Sequence, residues 1–153
     1  MNLVRESCLI YHCCLPQGIL KGDRKMAKKN LSEMRKVIKY SLMRIGFRVD
    51  TMGFAYLCYA VELVIKEPNL IHKLCKGVYA QVGEKFMVNN DLCIERSIRH
   101  AIEQTYINKS FMELNRMFKM ELFTINDKPT CGELIKLVAE YYNMSLYKDD
   151  MVI

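Results

Sequence analysis

Between Glu95 and His100 the chain carries a carboxylate, two guanidinium groups and an imidazole within two turns of what reads as one helix. These groups can read DNA. An arginine fork matches O6 and N7 of guanine, and a carboxylate accepts from N4 of cytosine. Such chemistry needs a helix with one apolar face to fix it on a scaffold and a second face presenting planar donors. At about 100° per residue, Ile94, Ile98, Ala101, Ile102 and Thr105 share one face. Arg96, Arg99, His100 and Glu103 fall on the opposite side, with Glu95 at its edge.

The elements that must position this helix are legible around it. Asn90 is a good N-cap, and Asp91 places a negative charge in the first turn, where the helix dipole favours it. Before it, a shorter amphipathic segment buries Val82 and Phe86, and the turn MVNN sets Val88 between the two helices. Tyr79 to Tyr106 therefore has the pattern of a helix-turn-helix. Solvated faces rich in Arg and Glu are also common on ordinary amphipathic helices. An all-α protein-interaction module that has kept the fold without DNA affinity stands as the alternative.

Composition narrows the field. The chain has 153 residues, 51% hydrophobic and 26% charged, which suits one globular domain with a core of its own. No apolar run reaches the eighteen or so residues of a membrane span, and Arg5, Glu6 and His12 interrupt any signal-like core. A cytoplasmic protein with no membrane partner is expected. The seven cysteines, at 8, 13, 14, 58, 75, 93 and 131, are expected to be buried small hydrophobes rather than disulfides. Cys8, His12, Cys13 and Cys14 lack standard zinc spacing, so no metal is expected. No cofactor motif and no set of catalytic residues stands out, so an enzyme is not expected.

Net charge is +6, and its distribution is uneven. Residues 21–48 hold ten Lys or Arg against Asp23 and Glu33, so that segment contributes +8 and the rest of the chain −2. A basic segment ahead of a near-neutral domain suits contact with phosphates, and it equally suits a merely solvated surface.

The chain reads as all-α, a compact bundle of about six helices. Residues 1–25 are expected to be an irregular extension, and 26–150 the domain. From Asn30, an expected N-cap, Leu31, Met34, Ile38, Leu42 and Ile45 recur at helical spacing until Gly46. A second helix runs from about Gly53 and stops before Pro68. A third begins near Asn69 and presents Leu70, Ile71, Leu74 and Val78. Phe111, Leu114 and Phe118 suggest a short helix, and MELFTINDKPT a loop or a brief extended segment. Thr130 and Glu133 form a capping box for the last helix, which shows Leu134, Leu137, Val138 and Tyr141 to the core.

The run IERSIRHAIEQ (94–104), with EKF and the polar turn before it, resembles the recognition region of a known family, the C-terminal effector domain of the sporulation master response regulator of endospore-forming bacteria. KMAKKNL at 25–31 resembles that family's interdomain linker, IGF at 45–47 the end of its first effector helix, and GFAYLCYA at 53–60 its second. DKPTCGELIKLVAEYYNMS resembles its last helix, so the likeness spans roughly residues 25–148. It implies a six-helix DNA-binding domain regulating early sporulation genes. Base contacts carry over to Glu95, Arg96 and Arg99. His100 matches too, although a neutral histidine packed at the helix edge is the competing expectation. Leu92 and Cys93 depart from the family's small polar and basic residues, and so remove groups that could touch the DNA backbone. Double-stranded DNA, through its major groove, is the expected partner, with a second copy of the chain on tandem sites and RNA polymerase as further candidates. The family's receiver domain cannot be built from the 24 residues before Lys25, so action without a phosphorylation gate is expected.

Overall fold

A computed structural model describes residues 23–149, and the side chains of residues 30–146. The chain divides into two units, Met1–Leu31 and Ser32–Ile153, of which the second holds the core. The Cys8, His12, Cys13 and Cys14 cluster lies outside the described residues. Every element among the described residues is helical: α1 (Asp23–Ile45), α2 (Met52–Lys66), a 3₁₀ stretch (Pro68–Lys73) passing into π-helical turns (Leu74–Tyr79), α3 (Ala80–Phe86), α4 (Asp91–Ile107), α5 (Met112–Phe118) and α6 (Cys131–Asp149).

Helix α1 starts earlier than its sequence suggests. Asn30 is an interior residue and not a cap, and residues 23–25 are helical rather than irregular. The run RKMAKK is made of good helix formers without Gly or Pro, and one interior Asn costs only a few tenths of a kcal/mol. The helix ends at Gly46, whose φ of 108° suits glycine alone. Met34, Ile38, Leu42 and Ile45 are buried, at the expected spacing.

Helix α2 is the centre. Thr51 caps it by accepting from the Phe54 amide, and Phe54, Tyr56, Leu57, Ala60, Val61, Leu63 and Val64 are all buried. It packs chiefly against α4 and α6. The contact with α4 is very close. A Cβ on Gly53 would sit 2.3 Å from the Ser97 carbonyl oxygen, so only glycine lets the two backbones meet there.

The segment after Pro68 is not one α-helix. Proline opens a tight 3₁₀ turn, and the chain then widens into π-type turns before α3. Leu70 and Val78 are buried as expected, while Cys75 faces solvent. Cys93 is exposed as well, because it lies about 100° round α4 from the buried Ile94. Cys58 is half-buried, and burial pushes its thiol up to about 12. The expectation that the helical cysteines are buried therefore fails at positions 75 and 93.

Helix α5 packs through Leu114 and Met117, and Phe111 meets Phe47 edge-on, with ring centroids 6.1 Å apart. Residues 119–130 form a loop. Asn115 organises it, with its side-chain oxygen accepting from the amides of Leu122 and Phe123. The capping box forms reciprocally. The Thr130 amide donates to Glu133 at 2.8 Å, and the Glu133 amide donates to Thr130 Oγ1 at 3.2 Å.

Part of the basic segment serves the fold. Arg35 and Lys66 clasp Glu62, whose side chain is 4% exposed, and Arg44 binds Glu113. Burial alone would raise the Glu62 carboxyl, but the hydrogen bonds from Arg35 and Lys66 outweigh it and hold the group below its ordinary value. A carboxyl lowered in the folded state adds stability that is complete above its unfolded value and lost as pH falls through the folded one. The urea midpoint of the wild type should therefore fall as pH drops below about 4.5, and Glu62→Gln should fall less steeply there while starting lower at pH 7. Equal pH slopes for the two proteins would refute this role for Glu62.

Candidate nucleic-acid interface

The turn between α3 and α4 is built by backbone geometry. Met87 ends α3 in the left-handed region at φ 57°, and its amide donates to the Gly83 carbonyl. The Val88 amide donates to the same carbonyl at 2.9 Å. A Cβ on Gly83 would lie 2.7 Å from the Val88 carbonyl oxygen, so this glycine lets the turn fold back onto α3. Asn90 then caps α4, accepting from the Leu92 amide at 3.0 Å. Val82 is buried, while Phe86 is half-buried and lies edge-on to Tyr56, ring centroids 5.1 Å apart. The expected helix-turn-helix geometry is present.

Helix α4 keeps the face its periodicity assigns. Ile94, Ile98, Ala101, Ile102 and Thr105 are buried, and the Thr105 hydroxyl is satisfied by the Ala101 carbonyl. The opposite face is open. Leu92, Cys93, Arg96, Arg99, His100 and Gln104 are exposed, and Glu95 and Glu103 are partly so. The four candidate residues do not form one cluster, however. Helical spacing separates them into two pairs on either shoulder of the exposed face.

On one shoulder, Arg99 is bound to Glu95, one turn before it. The pair borders a shallow groove that also holds Tyr79, Lys128, Pro129, Thr130 and Cys131. Burial pushes the Tyr79 hydroxyl and the Cys131 thiol above their usual ranges, so neither is activated as a nucleophile. On the other shoulder, Arg96 and His100 border a groove beside the start of α2, with Arg48, Thr51 and Gln104. Among the described residues Arg96 forms no ion pair, so its fork is free to meet an acceptor. His100 is exposed rather than packed at the helix edge, which corrects the competing expectation for it.

Sequence reasoning missed Arg48, Gln104 and Lys128. Arg48 was counted in the basic segment, with nothing to say that the α1–α2 loop would carry it to α4. It is paired with Asp50 at 2.7 Å, and Lys128 with Glu103 at 2.6 Å. Both pairs are solvent-exposed, so water keeps the pairing weak. The arrangement can offer forks and a carboxylate to base edges from the helix, and cations to a backbone on either side.

No group of three or more His, Cys, Asp or Glu side chains among the described residues could hold a metal ion. No helix there is long and apolar enough to cross a membrane. A comparison with protein-family models gives a match over residues 38–142 to the family described as "Sporulation initiation factor Spo0A C terminal". The match covers α2 to α5, most of α6 and the last third of α1.

The turn yields a direct check. Gly83→Ala should lower stability by about 1–3 kcal/mol in urea unfolding, as overpacking against a backbone carbonyl does. A variant as stable as the wild type would show that the turn does not depend on this approach.

Proposed function

The chain belongs to the Spo0A C-terminal family of sporulation-related DNA-binding regulators, and from that premise we propose that it binds a specific duplex sequence with α4 in the major groove. Arg96 reads a guanine, Arg99 reads a second guanine after exchanging its partner, and Glu95, once released, accepts from a cytosine. His100, Arg48 and Lys128 supply phosphate contacts that fix the register and carry no sequence information. The observation that carries this reading is the free, exposed Arg96 on a helix whose other face is wholly buried.

The 153 residues bind in this reading without a phosphoryl group. The exposure of α4 supports it, since nothing among the described residues covers the face that would enter the groove. Target genes would be regulated by occupancy of their sites, alone or with a second copy on tandem sites, and through contact with RNA polymerase where activation is the outcome. The protein acts in the cytoplasm, where its DNA is.

Two measurements on unphosphorylated protein test this proposal. The dissociation constant for a duplex selected from random DNA should rise steeply with salt, in proportion to the phosphates contacted. Arg96→Ala should cost about 1–3 kcal/mol on that duplex and relax discrimination at one guanine. Binding that ignores both salt and Arg96 would refute the proposal. No binding at low salt would favour an all-α interaction module instead.

A further inference from the structure

Leu92 stands out on the open face of α4. It is 67% exposed, yet it occupies the first turn of the helix, in line with Arg96 one turn later. Its backbone is held in place, since its amide donates to the Asn90 side chain at 3.0 Å. A large apolar side chain thus projects into water from a fixed backbone at the end of the helix that, in a helix-turn-helix, contributes the residues nearest the base edges. Leucine has no donor or acceptor, so a hydrogen-bonding base edge gains nothing from it. Among the groups that the major groove presents, one is apolar: the 5-methyl of thymine.

We infer that Leu92 is a specificity-determining residue that selects a thymine through its 5-methyl group, an inference that rests on the DNA-reading role proposed above. Residues four apart on α4 are about 6 Å apart along its axis, which is one to two base steps. The thymine therefore lies one or two base pairs from the guanine read by Arg96. Contact with the methyl removes about one methylene's worth of apolar surface from water on the DNA side, an advantage of about fourfold in affinity over the same pair without it. The recognised sequence then differs from one read by polar groups alone: it is fixed as thymine at a position where a small polar residue would tolerate cytosine.

The test uses the full chain and the duplex selected for it from random DNA. Each thymine is replaced singly by uracil, which removes the methyl and nothing else, and affinity is followed by fluorescence anisotropy. At one thymine beside the Arg96-dependent guanine, uracil should weaken the wild type about fourfold. Leu92→Ser should bind the thymine and uracil duplexes alike, while Leu92→Met, which keeps an apolar contact, should still prefer thymine. A C·G pair at that position should bind more tightly when the cytosine carries a 5-methyl group. If uracil is tolerated at every thymine, or Leu92→Ser keeps the same uracil penalty, the inference is overturned while salt- and Arg96-dependent binding leaves the DNA-reading role standing. If the chain binds no duplex at low salt, both fall together.

Discussion

The approach of α2 to α4 at Gly53 is the contact on which the other features of this domain rest. With a hydrogen in place of a side chain, the start of α2 lies against the Ser97 carbonyl, at a point where any Cβ would overlap the backbone. That proximity buries Ile94, Ile98, Ala101 and Ile102 against the central helix and fixes the rotation of α4 about its own axis. Once the rotation is fixed, the positions of Arg96, Arg99 and His100 follow from helical geometry alone. A second close approach, at Gly83, sets the angle at which the chain enters α4. Helix α4 is thus held by two glycines, neither of which carries a functional side chain.

The charges divide between those that hold the scaffold and those left exposed around α4. Arg35, Arg44 and Lys66 are committed to the carboxylates of Glu62 and Glu113, and so to the scaffold. Arg99, Arg48 and Lys128 are held in exposed pairs on either side of α4, where water keeps the pairing weak and a phosphate or base can displace the carboxylate. Arg96 alone among the candidate arginines has no such partner among the described residues. An excess of positive charge in residues 21–48 therefore says less about DNA than it first suggests, since part of it is spent internally. In the proposed reading, the cations that meet DNA lie on α4 and in the loops that flank it.

Much of this was legible in the sequence. Helices α4 and α6 carry their own start signals in Asn90 and the Thr130–Glu133 capping box, and both caps form; the start of α2 was placed only at about Gly53, and its Thr51 cap was missed. The buried face of α4 was readable residue by residue, because a single periodicity and a good cap agree with each other. Residues 68–79 were less legible. Leu70, Ile71, Leu74 and Val78 fit a helix whether the backbone is α, 3₁₀ or π, so their spacing does not choose between the three. The left-handed Met87 could not be foreseen either, since a long side chain is unusual there and the need for that conformation arises from the fold-back onto Gly83. Helical spacing pairs Glu95 with Arg99 and Arg96 with His100, but what each pair borders needed the fold: the start of α6 beside the first pair and the start of α2 beside the second.

The central claim is that the open face of α4 meets the bases. An amide and arginine side-chain ¹H–¹⁵N spectrum of the chain, titrated with a bound duplex, tests it most directly. The account predicts that shifts concentrate on residues 87–104, with the Arg96 and Arg99 side-chain Nε–H signals moving and becoming protected from exchange with water. Shifts confined to α1, α5 and α6, with the α4 arginine side chains unchanged, would contradict it.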